Sequence, residues 1–214
     1  MHNFDGIIFD IDGTLSSTYQ LIYESFRHIS KKYLNKTFTD AEIRNLFGPT
    51  EDVVLKQWNE DKFDEIKDDY YNFYSENHNM AALYPGIIDI LNYIKSKKTL
   101  LSIYTGKGRA AATITLKKLD IYDYFDMIIT GDDVSEYKPS AEGILKFITE
   151  YRLNKERVLM IGDSPSDVKA AHSGGVKIAS ALWDSYAMEE VLNLKSDYIF
   201  YEVQELEKFI KMNV

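Results

Sequence analysis

Cysteine is absent from the 214 residues, which removes disulfide frameworks, thiolate zinc sites and cysteine nucleophiles together. Positive charge is scarce: 25 basic residues against 34 acidic give a formal net charge of −9. That balance disfavours generic nucleic-acid or anionic-membrane binding. No apolar run approaches the roughly 20 residues a membrane helix needs. Asp5, Asp10 and Asp12 also interrupt the stretch in which a signal peptide requires an apolar core. What is present is 45% hydrophobic and 14% aromatic residues, enough for a packed interior and too much for a disordered chain. A soluble, cytoplasmic protein is expected, with one sizeable domain or a core domain carrying a smaller insertion.

Short apolar, β-branched runs recur along the chain at Gly6–Asp10, Leu100–Tyr104, Met127–Thr130, Val158–Gly162 and Val176–Ser180, with a weaker one at Tyr198–Phe200. Runs this short and this apolar suit strands buried on both faces of a parallel sheet. Between them lie stripes at helical spacing: Ile87, Ile90, Leu91 and Ile94; Ala112, Leu116 and Leu119; Ile144, Leu145, Ile148 and Tyr151; Val168 and Ala171; Leu206, Phe209 and Ile210. Such alternation predicts a doubly wound α/β domain.

One interval departs from this rhythm. From Asp12 to Pro85 only helical patterns occur, with stripes at Ile22, Phe26, Ile29, Tyr33 and at Ile66, Tyr70, Phe73, Asn77. Thr39-Asp-Ala-Glu42 has the form of a capping box opening a short helix that ends near Gly48-Pro49. A crossover between neighbouring parallel strands needs only a dozen or so residues, so this interval reads as an inserted α-helical subdomain. Residues 1–15 and 85–214 then form the core and 16–84 the insertion, which returns at the turn dipeptide Pro85-Gly86.

In open α/β sheets, ligands gather at the carboxyl ends of the strands. Four polar features fall at such ends. In Asp10-Ile-Asp12-Gly-Thr14, alternate residues of an extended chain project together, and two close carboxylates repel unless a cation or a shared proton separates them. Gly162-Asp163-Ser-Pro-Ser-Asp167 adds two more acids. Clustered acids without cysteine or a nearby histidine suit a hard, oxygen-liking cation, Mg²⁺ above all. Thr105-Gly106 opens a helix where a hydroxyl and backbone N–H groups can hold a phosphate. Lys138-Pro139 places a cation beside it. Together these would neutralise a phosphoryl group enough for a carboxylate to attack it.

Asp10-x-Asp12-Gly-Thr-Leu15, Thr105, Lys138-Pro139 and Gly162-Asp163-x-x-x-Asp167 resemble, in order, the four motifs of the haloacid dehalogenase-like phosphohydrolases. The resemblance covers nearly the whole chain, and the insertion is similar to the helical cap of phosphoglycolate phosphatase-like members. It implies a cytoplasmic Mg²⁺-dependent phosphatase acting on a small phosphorylated metabolite. Asp10 is implied as the nucleophile forming an aspartyl-phosphate and Asp12 as general acid/base. Thr105, Gly106 and Lys138 are implied as phosphate-binding. The metal would be held by Asp10, the Asp12 backbone carbonyl and Asp163, with Asp167 supporting or sharing it. Relatives often carry Asn then Lys after the second-motif Thr; here Gly106 and Lys107 follow.

Phosphoglycolate is the substrate the resemblance suggests, with pyrophosphate, nucleoside monophosphates and sugar phosphates open. A β-phosphoglucomutase-like phosphoryl transfer would use the same Asp10 and Asp12. Gly106-Lys-Gly108-Arg-Ala-Ala111 also matches the dinucleotide-binding pattern, with Asp126 or Asp132 as ribose-binding acid. That oxidoreductase reading leaves the Asp10/Asp12 and Asp163/Asp167 pairs without a role. His2, His28, His78 and His172 read as surface or packing residues, and Asp69–Tyr74 as packing within the insertion. Arg44, Phe47 and Thr50, flanking Gly48-Pro49, are candidate specificity residues. The insertion carries twelve acidic and eight basic side chains, so it offers no broad cationic lid.

Overall fold

The structure, a computed structural model, describes residues 3–214, leaving His2 outside. Six parallel strands form one sheet: β1 (Gly6–Phe9), β2 (Leu100–Tyr104), β3 (Met127–Ile129), β4 (Val158–Gly162), β5 (Lys177–Ala181) and β6 (Tyr198–Phe200). Their order is β3-β2-β1-β4-β5-β6, and each coincides with one of the apolar runs to within a residue or two. Chain order runs outward in both directions from β1, which makes the carboxyl end of β1 the switch point of the sheet. Register aligns Phe9 with Ile103 of β2 and Ile161 of β4, so Asp10 leaves the sheet level with Tyr104 and Gly162.

Between Asp12 and Pro85 run four helices, α1 (Tyr19–Leu34), α2 (Asp40–Arg44), α3 (Glu51–Trp58) and α4 (Phe63–Glu76). The rest of the chain adds α5 (Ile87–Ser96), α6 (Arg109–Lys118), α7 (Glu142–Tyr151), α8 (Pro165–Gly174), α9 (Met188–Asn193) and α10 (Val203–Asn213). Period-two alternation in β1 sends Ile7 and Phe9 to one face, against α5, α6 and α10, while Ile8 faces α7 and α8. Both faces are thereby covered, which is why the strands read as unbroken apolar runs.

Helices α1–α4 share a separate hydrophobic cluster that includes Phe26, Ile29, Ile43, Leu55, Ile66 and Tyr70. It reaches the rest of the fold through Ala111 of α6 and through the Tyr74 and Thr115 hydroxyls, 2.8 Å apart. The two chain segments joining this cluster to the sheet lie side by side, with Ser17 N–H donating to Ala82 O and Tyr84 N–H to Leu15 O.

Two details differ from the sequence reading. In α4 the buried residues are Ile66, Tyr70 and Tyr74, not Phe73; an i, i+4, i+8 row drifts little around a helix, and Tyr74 continues it. The Thr39–Glu42 capping box forms, but its helix stops at Arg44, four residues before Gly48. The following segment leaves Phe47 half-buried and reaches Gly48 at φ +129°, a backbone that excludes helix. A new helix, α3, then starts at Glu51.

Candidate active site

The backbone turns sharply after Asp12 because Gly13 adopts φ +77°, and its N–H donates to Ser16 O at 2.9 Å. A Cβ there would lie 2.5 Å from Asp163 Oδ2, so the absence of a side chain lets β4's acid approach β1's loop. Gly162 plays the same part for Asp167, whose carboxyl group fills the space a Cβ would occupy. Ser164 caps α8, with Pro165 in its first turn and Asp167 completing the capping box. The switch point thus gathers Asp10, Asp163 and Asp167, each with a carboxylate oxygen within 4.8 Å of the others.

Lys138 joins them. Its ammonium lies 2.9 Å from Asp10 and 2.6 Å from Asp167. Burial opposes the charge on Lys138, but the two carboxylates outweigh it and hold the pKa above its ordinary value. Asp10 is pushed up to about 7, by burial first and by repulsion from Asp167 and Asp12, with Lys138 opposing. Asp163 is also raised, by burial and then by Asp167 and Asp10. Buried acids pushed this way are a site that favours an added cation.

The donor set fits a hard metal ion. Tyr19 marks the spot: its hydroxyl donates to Asp163 Oδ2 at 2.8 Å and lies 3.3 Å from the Asp12 carbonyl oxygen, so those two oxygens converge on one point. Thr14 donates to the other Asp163 oxygen at 3.3 Å. Asp167 already accepts from Lys138 and, through Oδ2, from the Ser164 N–H and hydroxyl at 3.0 and 2.7 Å.

Asp12 lies on the other side of the crevice, accepting from the Thr18 hydroxyl and 3.3 Å from the Lys107 ammonium. Lys107 also sits 3.8 Å from Glu51 and 5.1 Å above the Tyr74 ring. Its charge is opposed by burial and sustained by Asp12, Tyr74 and Glu51, which together raise its pKa. Glu51 opens α3 and is 7% exposed; its carboxylate accepts the Gly108 N–H at 2.7 Å. Burial pushes Glu51 upward, with Lys107 and the Gly108 N–H resisting. Thr105 is buried and takes the Lys107 N–H at 3.2 Å, while Gly106 has open space where a side chain would stand.

Of these residues, Asp10, Asp12, Tyr19, Glu51, Thr105, Gly106, Lys107, Lys138, Asp163 and Ser164 line a cavity of about 130 Å³, which Ile22, Phe26, Leu46 and Phe47 also line. Of the candidate specificity residues only Phe47 lines it. Arg44 instead donates to the Tyr23 hydroxyl at 3.3 Å, and Thr50 packs against Gly108 and Gly131. The dinucleotide pattern gains no phosphate site, because the N–H groups opening α6 are already held: Gly108 by Glu51 and Arg109 by Asp132. Asp126 accepts the Leu101 N–H and pairs with Lys95. Sequence reasoning missed Tyr19, Thr18 and Glu51, none of which stands in a motif. Lys107 was visible as the second residue after Thr105.

The haloacid dehalogenase-like hydrolase model matches residues 7–181. The pyrophosphatase PpaX of Anoxybacillus flavithermus is 29% identical over 205 residues, spanning 95% of each chain. A haloacid dehalogenase-like family hydrolase from Streptococcus pneumoniae superposes with a TM-score of 0.76 at 28% identity, covering 97% of this chain and 98% of that one. A structure described as a "predicted phosphoglycolate phosphatase" from Haemophilus somnus gives 0.86 at 24% identity, over 98% and 99%. With the parallel sheet, its switch-point acids and a model match over most of its length, the chain belongs to the haloacid dehalogenase-like hydrolases and is a phosphohydrolase.

Proposed function

We propose that the protein is a Mg²⁺-dependent phosphatase that hydrolyses small phosphate monoesters through an aspartyl-phosphate. The observation that carries this is the switch-point cluster: Asp10 beside Lys138, Asp163 and Asp167, with Asp12 two residues away and facing the same cavity. Asp10 Oδ attacks phosphorus in line while Asp12 gives its proton to the departing oxygen. Asp12 then takes a proton from water as that water attacks the phosphoryl-aspartate, releasing phosphate and restoring Asp10. Lys138, Thr105 and the backbone at Gly106 hold the phosphoryl oxygens. Asp10, Asp163 and the Asp12 carbonyl would hold Mg²⁺, with Asp167 keeping Lys138 in place. When bound, the ion supplies positive charge between phosphoryl group and carboxylates.

In this reading residues 1–15 and 85–214 are the catalytic core and 16–84 a cap over the mouth that keeps bulk water out. The names of the PpaX relatives favour a second reading, hydrolysis of pyrophosphate. The test is phosphate release from a panel of phosphate esters and pyrophosphate, with Mg²⁺ and with chelator, alongside Asp10→Asn. Selective Mg²⁺-dependent release that disappears in the folded variant supports the reading. Equal turnover in Asp10→Asn removes Asp10 as nucleophile.

A further inference from the structure

Where the leaving group must sit, the cavity carries no free positive charge. Two ammonium groups line it, and each faces two carboxylates: Lys138 faces Asp10 and Asp167, Lys107 faces Asp12 and Glu51. No arginine lines it among the described residues. Asp12 protonates the leaving oxygen in the proposed reaction, so the leaving group lies beside Asp12 and therefore beside the Lys107–Glu51 pair. The second phosphoryl of pyrophosphate, or the carboxylate of phosphoglycolate, would meet the Glu51 carboxylate there. With Asp12 carrying the proton it gives to the leaving oxygen, Lys107 is matched by Glu51, so the pair leaves no net positive charge for a second anion, and a like-charge contact with Glu51 away from water is unfavourable. Glu51 cannot swing aside freely, being buried and fixed by the Gly108 N–H at 2.7 Å.

Apart from Ser164 and Ser166, the remaining wall is mainly aliphatic and aromatic, with Ile22, Phe26, Leu46 and Phe47 beside the rings of Tyr19 and Tyr186. Tyr19 and Phe47 stack at 6.4 Å with planes 19° apart, and Tyr186 sets its edge against both at 5.6 and 6.1 Å. Such a surface contributes to binding by covering apolar area and brings no positive charge to a hydrated anion. We propose that this site selects phosphate esters whose leaving group is uncharged and presents an apolar or aromatic face, with Glu51 excluding a second anion. The inference rests on the phosphatase reading and narrows its substrate class.

The test compares two esters of matched intrinsic reactivity, benzyl phosphate and its para-carboxylate analogue, together with phosphoglycolate and pyrophosphate. Wild-type kcat/KM is expected to favour benzyl phosphate over its carboxylate analogue by at least about tenfold. Glu51→Gln keeps an oxygen for the Gly108 N–H and removes the charge, so it should narrow that ratio several-fold. Phe47→Ala should raise KM for benzyl phosphate more than for ethyl phosphate. A wild-type ratio near one, or a preference for pyrophosphate or phosphoglycolate, overturns the inference. A ratio that Glu51→Gln leaves unchanged overturns the role of Glu51. Release on every substrate no faster than in folded Asp10→Asn is a different result: it removes the phosphatase reading and the inference with it.

Discussion

Replacing Lys138 with Met keeps most of the length of the side chain and deletes the one cation among the described residues that pairs with both Asp10 and Asp167. The lysine side chain is 6% exposed, and the two carboxylates 9% and 0%, so water cannot take its place. Removing one partner of a buried ionic group costs about 3–5 kcal/mol, because the charges left behind are neither paired nor solvated. The structure adds a pH signature. Asp10 titrates at about 7 with Lys138 in place, against 3.8 for a free side chain, and losing the ammonium can only raise it further. A carboxyl group whose folded pKa lies above its unfolded value lowers stability progressively as pH rises between the two. In Lys138→Met that decline extends to higher pH, so the variant loses more relative to wild type at pH 8 than at pH 5. The assay is urea unfolding of metal-free protein at both values, with unchanged m confirming a comparable transition. A loss below about 1 kcal/mol at pH 8, or one equal at the two pH values, would refute the buried-charge account. In the Mg²⁺-saturated protein the same change should lower kcat/KM by about 10²–10³, the usual effect of removing one preorganised charge from a transition state.

The sheet was legible because strands covered on both faces have no polar alternation to dilute their signal, and the six runs coincide with the six strands. The switch-point acids were legible for a related reason. They follow β1 and β4 directly, so the parallel register that aligns Phe9 with Ile161 brings Asp10 level with Gly162 and its neighbouring acid. Asp12 and Lys107 were brought together by β1 and β2, again through register. Glu51 was not legible. An acid in the first turn of a helix has an ordinary local reason to be there, through the helix dipole. Its contact with Gly108 spans 57 residues and depends on how the cluster of α1–α4 seats on α6. Tyr19 was hidden for the same cause: at the start of α1 it reads as one more aromatic of an amphipathic helix. Its hydroxyl reaches Asp163 only because Gly13 turns the chain so tightly. Elements set by local pattern and strand register were thus readable; contacts set by the seating of one helical layer on another were not.

In the proposed site, Mg²⁺ and a proton would compete for Asp10. Because Asp10 is pushed up to about 7, the apparent Mg²⁺ affinity should fall about fivefold from pH 7 to 6 and approach about tenfold per pH unit below that. Calorimetric titration in buffers of different ionisation enthalpy would count the released protons, and equal affinity at pH 6 and 8 would exclude Asp10 as a ligand. Gly13→Ala would force a side chain into a φ of +77° and against Asp163, so it should cost roughly 1–3 kcal/mol in chemical denaturation and most of the activity. Wild-type stability and turnover in that variant would mean the loop relaxes freely. His78 gives the opposite pH signature to Asp10. Burial first, then the charges of Lys107 and Lys118, depress its pKa from 6.5 to about 4, and its Nε2 has no hydrogen-bond partner. The unfolded chain takes up a proton below 6.5 that the folded chain refuses until about 4, so folded stability falls as pH drops through that window. The loss from pH 7 to pH 4 comes to about 3 kcal/mol. His78→Gln cannot titrate and should lack that component, so its stability difference from wild type must change by this amount across the window. A difference that stays constant from pH 7 to pH 4 would show that His78 takes its proton in the folded state as readily as in the unfolded one.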